Sequence, residues 1–301
     1  MWWVRVILVL LLPFSLLLQQ GSSSTTTHEQ NNVCPPSSCG KISNVSYPFR
    51  LKDDPVNCGD KRYELACENN VTTLNLYSGK YHVQSINYNN LTIRVSDPGV
   101  QQDNCSSLPL NFLSRSNFCD TYRENCTDPY HAMALEAEYN SISEDMEYHD
   151  YELLFEHVVY LNCSHPVTDN RKYVKTTPCI NWPSKEYYIY AIAGHLIDED
   201  FQVGCHIKLV APSSWKALKR NQVLSYNVIH RALVYGFEIS WLHLSCKNRC
   251  GDTDLCSFNV TTETLQCDQH FCYSFFDYST TTNCGKDPSF QLILISRLQL
   301  F

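Results

Sequence analysis

Sixteen cysteines carry most of the reactive chemistry in this chain. The densest group is Cys246-x3-Cys250 followed by Cys256, Cys267, Cys272 and Cys284, and with His270 it holds the thiol and imidazole donors of a zinc site. In an oxidising compartment the same thiols pair as disulfides, and an even count in a chain with an export signal reads that way. Disulfides are therefore expected here, and no metal. Kinase chemistry has no support, because the sequence lacks a glycine-rich phosphate loop, a His-Arg-Asp catalytic loop and an Asp-Phe-Gly. Hydrolase chemistry fares no better. There is no Gly-x-Ser-x-Gly elbow, and the eleven histidines show no His-Glu-x-x-His spacing. The expectation is a protein with no catalytic residues and no cofactor.

The compartment is read from the amino terminus. Arg5 gives a short basic region, Val6 to Leu18 is a 13-residue mainly apolar run, and Gly21 to Ser24 supply small residues for cleavage. Residues 1–23 are thus expected to be a signal peptide, and the polar stretch 24–33 a solvated leader. Seven Asn-x-Ser/Thr sequons fit a glycoprotein: Asn44, Asn70, Asn90, Asn104, Asn125, Asn162 and Asn259. The run 290–301 is 12 residues long and contains Arg297, too short to span a bilayer. A secreted or extracellular location follows, or the cell surface if the natural product continues into a membrane span.

Charge narrows the partners. The net value is −8, and residues 124–170 hold eleven acids with no Lys or Arg; without those acids the balance is 23 minus 20, or +3. That distribution opposes nucleic acid as a partner. The stretch 127–157 reads as an acidic connection, with Ala132, Leu135 and Tyr139 at helical spacing.

On either side of it the pattern is strand-like. Tyr63 to Cys67, Val71 to Tyr77, Lys80 to Ile86 and Leu91 to Val95 read as successive strands of an antiparallel meander, followed by a stop at Asp97-Pro98-Gly99. Val158 to Leu161 and Tyr187 to Ala193 are also expected to be strands. Ser225 is placed to cap a helix carrying Val228, Ile229, Ala232 and Leu233, with Gly236 at its end and a strand over Phe237, Ile239 and Trp241.

Several of these residues together resemble a known family. Cys34, Cys39-Gly40, Ile42, Tyr47-Pro48-Phe49, Cys58-Gly59, Tyr63-x-Leu65-x-Cys67, Tyr81-x-Val83 and Ile86 resemble the galacturonan-binding domain of plant wall-associated receptor kinases. Tyr235-Gly236-Phe237-x-Ile239-x-Trp241 followed by Cys246-x3-Cys250 resembles their second, C-terminal extracellular module; the rust-resistance receptor-like kinases look closest. Cys267-x4-Cys272 departs from the Cys-x-Cys of many relatives. The resemblance implies binding of pectin or oligogalacturonides, where guanidinium and ammonium groups would meet uronate carboxylates and aromatic rings would meet flat sugar faces. Arg50, Lys52, Lys61, Arg62, Lys80 and Arg94 are the basic candidates, with Tyr47, Tyr63, Tyr77, Tyr81 and Tyr88 as platforms. Lys61, Arg62, Lys80, Arg94, Tyr77 and Tyr81 are preferred. A protein-interaction ectodomain or decoy, binding a receptor or a peptide, is the alternative.

The fold expected is mainly β and disulfide-rich, in two small extracellular modules with one or two short helices. The first spans 34–126 and the second 158–285, with a tail over 286–301. Cysteine parity adds a constraint. Seven precede the acidic stretch (Cys34, Cys39, Cys58, Cys67, Cys105, Cys119, Cys126), three follow it (Cys163, Cys179, Cys205) and six complete the chain. Two odd groups cannot both pair internally, so full oxidation requires at least one bridge out of the first group into a later one.

Overall fold

In Thr92–Ser96 the side chains of Ile93 and Val95 are completely buried while Arg94 between them is half-buried. Thr92 and Ser96 are buried as well, so Arg94 is the one residue of the strand that reaches partly towards solvent. The computed structural model describes residues 34–77, 79–118, 128–134, 152–180, 187–219, 224–250, 256–259, 262, 264–267, 271–274 and 277–283. The expected signal peptide and leader, the sequon at Asn125, Leu135 and Tyr139 of the acidic connection, and the tail lie outside them. The elements below belong to one compact unit, Pro36–Phe301.

The strands β1 (Ser37–Cys39) and β2 (Ile42–Val45) form a hairpin. After it come β3 (Arg50–Leu51), β4 (Glu64–Glu68), β5 (Val71–Leu76), β6 (Gly79–Asn87) and β7 (Thr92–Ser96), the expected meander, neighbours in one sheet and antiparallel except at the β3–β4 pair. Two short strands, β8 (Met133–Ala134) and β9 (Glu152–Leu153), pair across the acidic stretch. A second sheet has the order β11-β12-β10-β13, built from β10 (Glu156–Cys163), β11 (Val174–Lys175), β12 (Tyr188–Gly194) and β13 (Cys205–Ser213). Helix α1 (Tyr226–Tyr235), strand β14 (Phe237–Ser240) and helix α2 (Leu242–Cys250) follow. Two hairpins, β15–β16 (Cys256–Asn259, Thr264–Cys267) and β17–β18 (Phe271–Ser274, Asp277–Asn283), complete the described chain.

The YGFEISW stretch behaves differently from its sequence assignment. Its strand β14 pairs antiparallel with β7, Phe237 opposite Val95 and Ile239 opposite Ile93, and so completes the first sheet at six strands. Phe237, Ile239 and Trp241 are buried in the same core as Phe49, Tyr63, Leu65, Tyr81 and Val83. Trp241 meets Phe49 edge-on at 4.8 Å and Tyr88 at 5.8 Å. Burying Phe237 and Ile239 is each worth roughly 1.5–3 kcal/mol of transfer free energy, enough to make the strand a structural part of the first sheet. The two families of motif thus share one core.

Helix α1 forms as its sequence suggests, with Ile229, Ala232 and Leu233 buried against Val158, Tyr160, Ala191 and Ala211 of the second sheet. Ser225 caps it through its carbonyl, which accepts from the amides of Val228 and Ile229, and not through its hydroxyl. Gly236 ends it at φ +85°, its amide bonding the carbonyls of Ala232 and Leu233. A Cβ there would overlap the Val95 carbonyl, so both backbone angle and space require glycine.

Disulfides staple this frame. Cys39 bridges Cys67, Cys163 bridges Cys205 across the adjacent strands β10 and β13, and Cys250 bridges Cys267. Cys34, Cys58 and Cys246 are disulfide-bonded as well. Cys105 bridges Cys179, 74 residues away. This is the bridge that cysteine parity demands, from the first group into the second. The mainly β, disulfide-rich fold with two helices agrees with the expectation from sequence.

Candidate functional site

The sequence-preferred residues are spread over different surroundings. Asp60 caps a single 3-10 turn, Lys61–Tyr63, which presents Lys61 and Arg62 to solvent. The Arg62 guanidinium grips Asp60 with two bonds, Nε to Oδ1 at 3.1 Å and Nη2 to Oδ2 at 2.7 Å. This pairing holds Asp60 below the usual carboxylate range and raises Arg62. Lys61 makes no ion pair among the described residues. Lys80 binds both oxygens of Glu68 at 2.8 Å. Arg50 is buried and paired with Glu64, which gives it a structural role.

The aromatic candidates divide in the same way. Tyr81 is 2% exposed with its ring against Phe237, and Tyr63 is 1% exposed against Phe49, so neither has a face to offer a ligand. The strand alternation that puts Tyr81 in phase with Val83 is what buries it. Tyr88 is partly buried, and its hydroxyl accepts from the Ser46 amide at 2.7 Å. Tyr77 sits in the β5–β6 turn, 46% exposed, with its hydroxyl donating to Asp128 at 3.3 Å. Burial, and then the Asp128 carboxylate, push that phenol above its ordinary value. Tyr47, 56% exposed, accepts a hydrogen bond from the side-chain amide of Asn248 on α2 at 3.0 Å.

Arg94 is the candidate with the most informative surroundings. It lies on the polar face of β7 with Glu238 opposite it on β14. Its Nη1 donates to the Tyr235 carbonyl at 2.8 Å, and its guanidinium carbon is 4.4 Å from the centroid of the Tyr235 ring. Glu238 accepts from the Tyr235 hydroxyl at 3.2 Å and makes no ion pair with Arg94. Lys41, from the β1–β2 turn, bonds Gln84 Oε1, while Gln84 Nε2 reaches Ser96 Oγ at 2.5 Å. Partial burial, and after it repulsion from Arg94, hold the Lys41 ammonium below its usual pKa.

Two cations therefore stand near one another, and neither is in an ion pair among the described residues. Sequence reading missed Lys41 and Gln84. Lys41 follows the Cys39-Gly40 turn, and only the folding of that hairpin against β6 brings it within reach of Gln84. Helix α2, with Asn248, was missed too. No group of three or more His, Cys, Asp or Glu side chains that could hold a metal occurs among the described residues.

Comparison with known proteins fixes the context of this surface. Residues 34–97 match the family of wall-associated receptor kinase galacturonan-binding domains. Both Lys41 and Arg94 lie inside that match. The chain is also similar to three Arabidopsis thaliana proteins described as leaf rust 10 disease-resistance locus receptor-like protein kinase-like. Form 1.2 is 31% identical over 107 residues, covering 32% of this chain and 16% of the relative. Form 2.1 is 22% identical over 261 residues, covering 84% of this chain and 35% of the relative. Form 2.4 is 37% identical over 76 residues. The chain thus spans about a third or less of the length of these relatives. These are similarities to a receptor-like kinase ectodomain, and the kinase domain is not in this chain. No solved structure matches. No helix among the described residues is long and apolar enough to cross a membrane.

Proposed function

We propose that the chain is a non-catalytic extracellular ectodomain that binds the acidic polysaccharide of the plant cell wall, pectin in its de-esterified galacturonan form. The observation that carries this reading is the match of residues 34–97 to galacturonan-binding domains, a segment that contains Lys41 and Arg94, where Arg94 helps to hold the Lys41 ammonium below its usual pKa. Lys41 and Arg94 are the groups that would meet a uronate carboxylate. Gln84 holds Lys41 through its Oε1, and the Tyr235 ring holds the Arg94 fork in place. The exposed sequons at Asn44, Asn70, Asn90 and Asn104 would carry glycan, which peptide mapping of the exported protein tests directly.

Calorimetric titration of the oxidised full chain with oligogalacturonides at moderate salt is the decisive experiment. Saturable binding that weakens with added salt and is lost on methyl-esterification of the ligand is expected. Absence of saturable binding by a correctly oxidised sample would remove the carbohydrate reading and favour a protein partner.

A further inference from the structure

The second sheet contains a concavity that the surface described above does not use. Strand β11 is an edge strand whose ladder with β12 contains two pairs, Val174 with Ala191 and Lys175 with Tyr190. Immediately after, the chain leaves the sheet. Thr176 Oγ1 bonds the Ile189 carbonyl at 3.2 Å, the Ile180 amide bonds the Thr176 carbonyl at 3.1 Å, and Cys179 is tied to Cys105. The turn is thereby tied at Thr176 to the start of β12 and at Cys179 to Cys105. Between the turn and β12 a cleft of about 310 Å³ opens, lined by Lys175, Thr177, Ile180, Tyr187 and Tyr188 among others. That volume is at the lower end of small-ligand sites, roughly 300–1,000 Å³.

Its chemistry is selective. Lys175 is the single charged residue of the lining among the described residues, is exposed, and makes no ion pair among them. Tyr187 and Tyr188 are 49% and 44% exposed, and Thr177 is exposed beside them. One cation, two accessible tyrosines and a free threonine hydroxyl on a small apolar floor suit a ligand with an anionic group, hydroxyls and a flat C–H face. A carbohydrate acid has all three. A nucleotide would bring several negative charges to a single lysine, and an apolar peptide would leave that lysine unmatched.

We infer that the cleft between β11 and the start of β12 is a second binding subsite for an acidic sugar residue. This deepens the pectin reading above and rests on it for the identity of the polymer, while the two sites can fail separately.

The test uses the full oxidised chain with carbon-13-labelled tyrosine, its Tyr187 and Tyr188 signals assigned through single Tyr→Phe variants. It is titrated with a short oligogalacturonide and with its methyl-esterified counterpart. Expected are saturable shifts at Tyr187 and Tyr188 with the acid form, weakened about tenfold in K175A, as for loss of one charge-assisted contact. Lys175 and Tyr187 are exposed, so K175A and Y187A should keep the wild-type melting temperature, which is measured alongside. Saturable binding that leaves both tyrosine signals unmoved overturns the cleft and leaves the Lys41–Arg94 reading standing. Tyrosine shifts that persist in K41Q support the cleft even where that variant shows the first surface to be idle. Shifts of equal size with the esterified ligand, or none with either, overturn the cleft as an acid subsite.

Discussion

The guanidinium of Arg94 lies over the ring of Tyr235, 4.4 Å from its centroid, and donates to the carbonyl of the same residue 141 positions later in sequence. This contact joins the polar face of the meander to the end of helix α1, next to Gly236 and the strand that completes the sheet. It also fixes the direction of a charge that would otherwise swing in solvent. Folding and the proposed ligand surface therefore depend on the same side chain.

That dependence separates two substitutions. R94K keeps the charge but loses the planar stack and the fork, and is expected to cost about 1 kcal/mol of stability. K41Q removes a charge that Arg94 repels and should leave the urea midpoint unchanged or slightly raised while weakening oligogalacturonide binding about tenfold. Denaturation curves and titrations on the same two proteins check this, and equal effects of both variants on stability would contradict it.

Gly236 offers a stronger test of the shared sheet. Any side chain there meets a positive φ and the Val95 carbonyl together. G236A should lower stability by more than 2 kcal/mol, beyond the ordinary cost of strain at such a backbone position. A urea midpoint within error of wild type would show that β14 is not held against β7 in solution.

Acid sensitivity follows from His131. Its side chain is 7% exposed, neither ring nitrogen has a hydrogen-bond partner among the described residues, and the His243 ring lies 5.3 Å away. Burial first, then repulsion from His243, lower its pKa from 6.5 to about 4, against a smaller opposing pull from Asp128. The native state thus prefers the neutral ring, and the unfolded chain takes up the proton first. Stability contributed by the neutral form is intact above about pH 6.5, declines as the pH falls, and is gone below about pH 4, a loss on the order of 3 kcal/mol. H131F should flatten that decline in urea midpoints measured between neutral pH and pH 5. Identical pH profiles for wild type and variant would assign the acid loss elsewhere.

How much of this was legible beforehand depended on whether the signal was local. The meander was readable because Tyr81, Val83, Ile93 and Val95 alternate with polar neighbours on a one-sided sheet. Helix α1 was readable from its apolar spacing and its terminal glycine. Strand β13 escaped because its sheet is buried on both faces, which removes the alternation, and its exposed half, His206 to Lys208, reads as surface. Helix α2 escaped because its cysteines masked a weak apolar pattern. At the ligand surface, alternation read correctly would have excluded Tyr81. Nothing local could have selected Lys41, whose relation to Gln84 and Arg94 is set by pairings distant in sequence.

Asp97 supports the last prediction. The sequence marks Asp97-Pro98-Gly99 only as a stop, yet the carboxylate is 8% exposed and accepts four hydrogen bonds. Oδ1 takes the amides of Gly99 at 2.8 Å and Leu110 at 2.9 Å, and Oδ2 takes the Asn111 amide at 3.0 Å and its side-chain nitrogen at 2.9 Å. All four partners are donors, so the site requires acceptors on both oxygens. D97N keeps the shape but turns an NH2 group towards two of those donors, leaving them unsatisfied in a buried setting. A loss of about 2–4 kcal/mol is expected, at roughly 1–2 kcal/mol for each frustrated donor. D97A removes every acceptor and should cost at least as much, so a chemical denaturation series in which D97N matches wild type would show that water, rather than this carboxylate, serves the segment between β7 and Asn111.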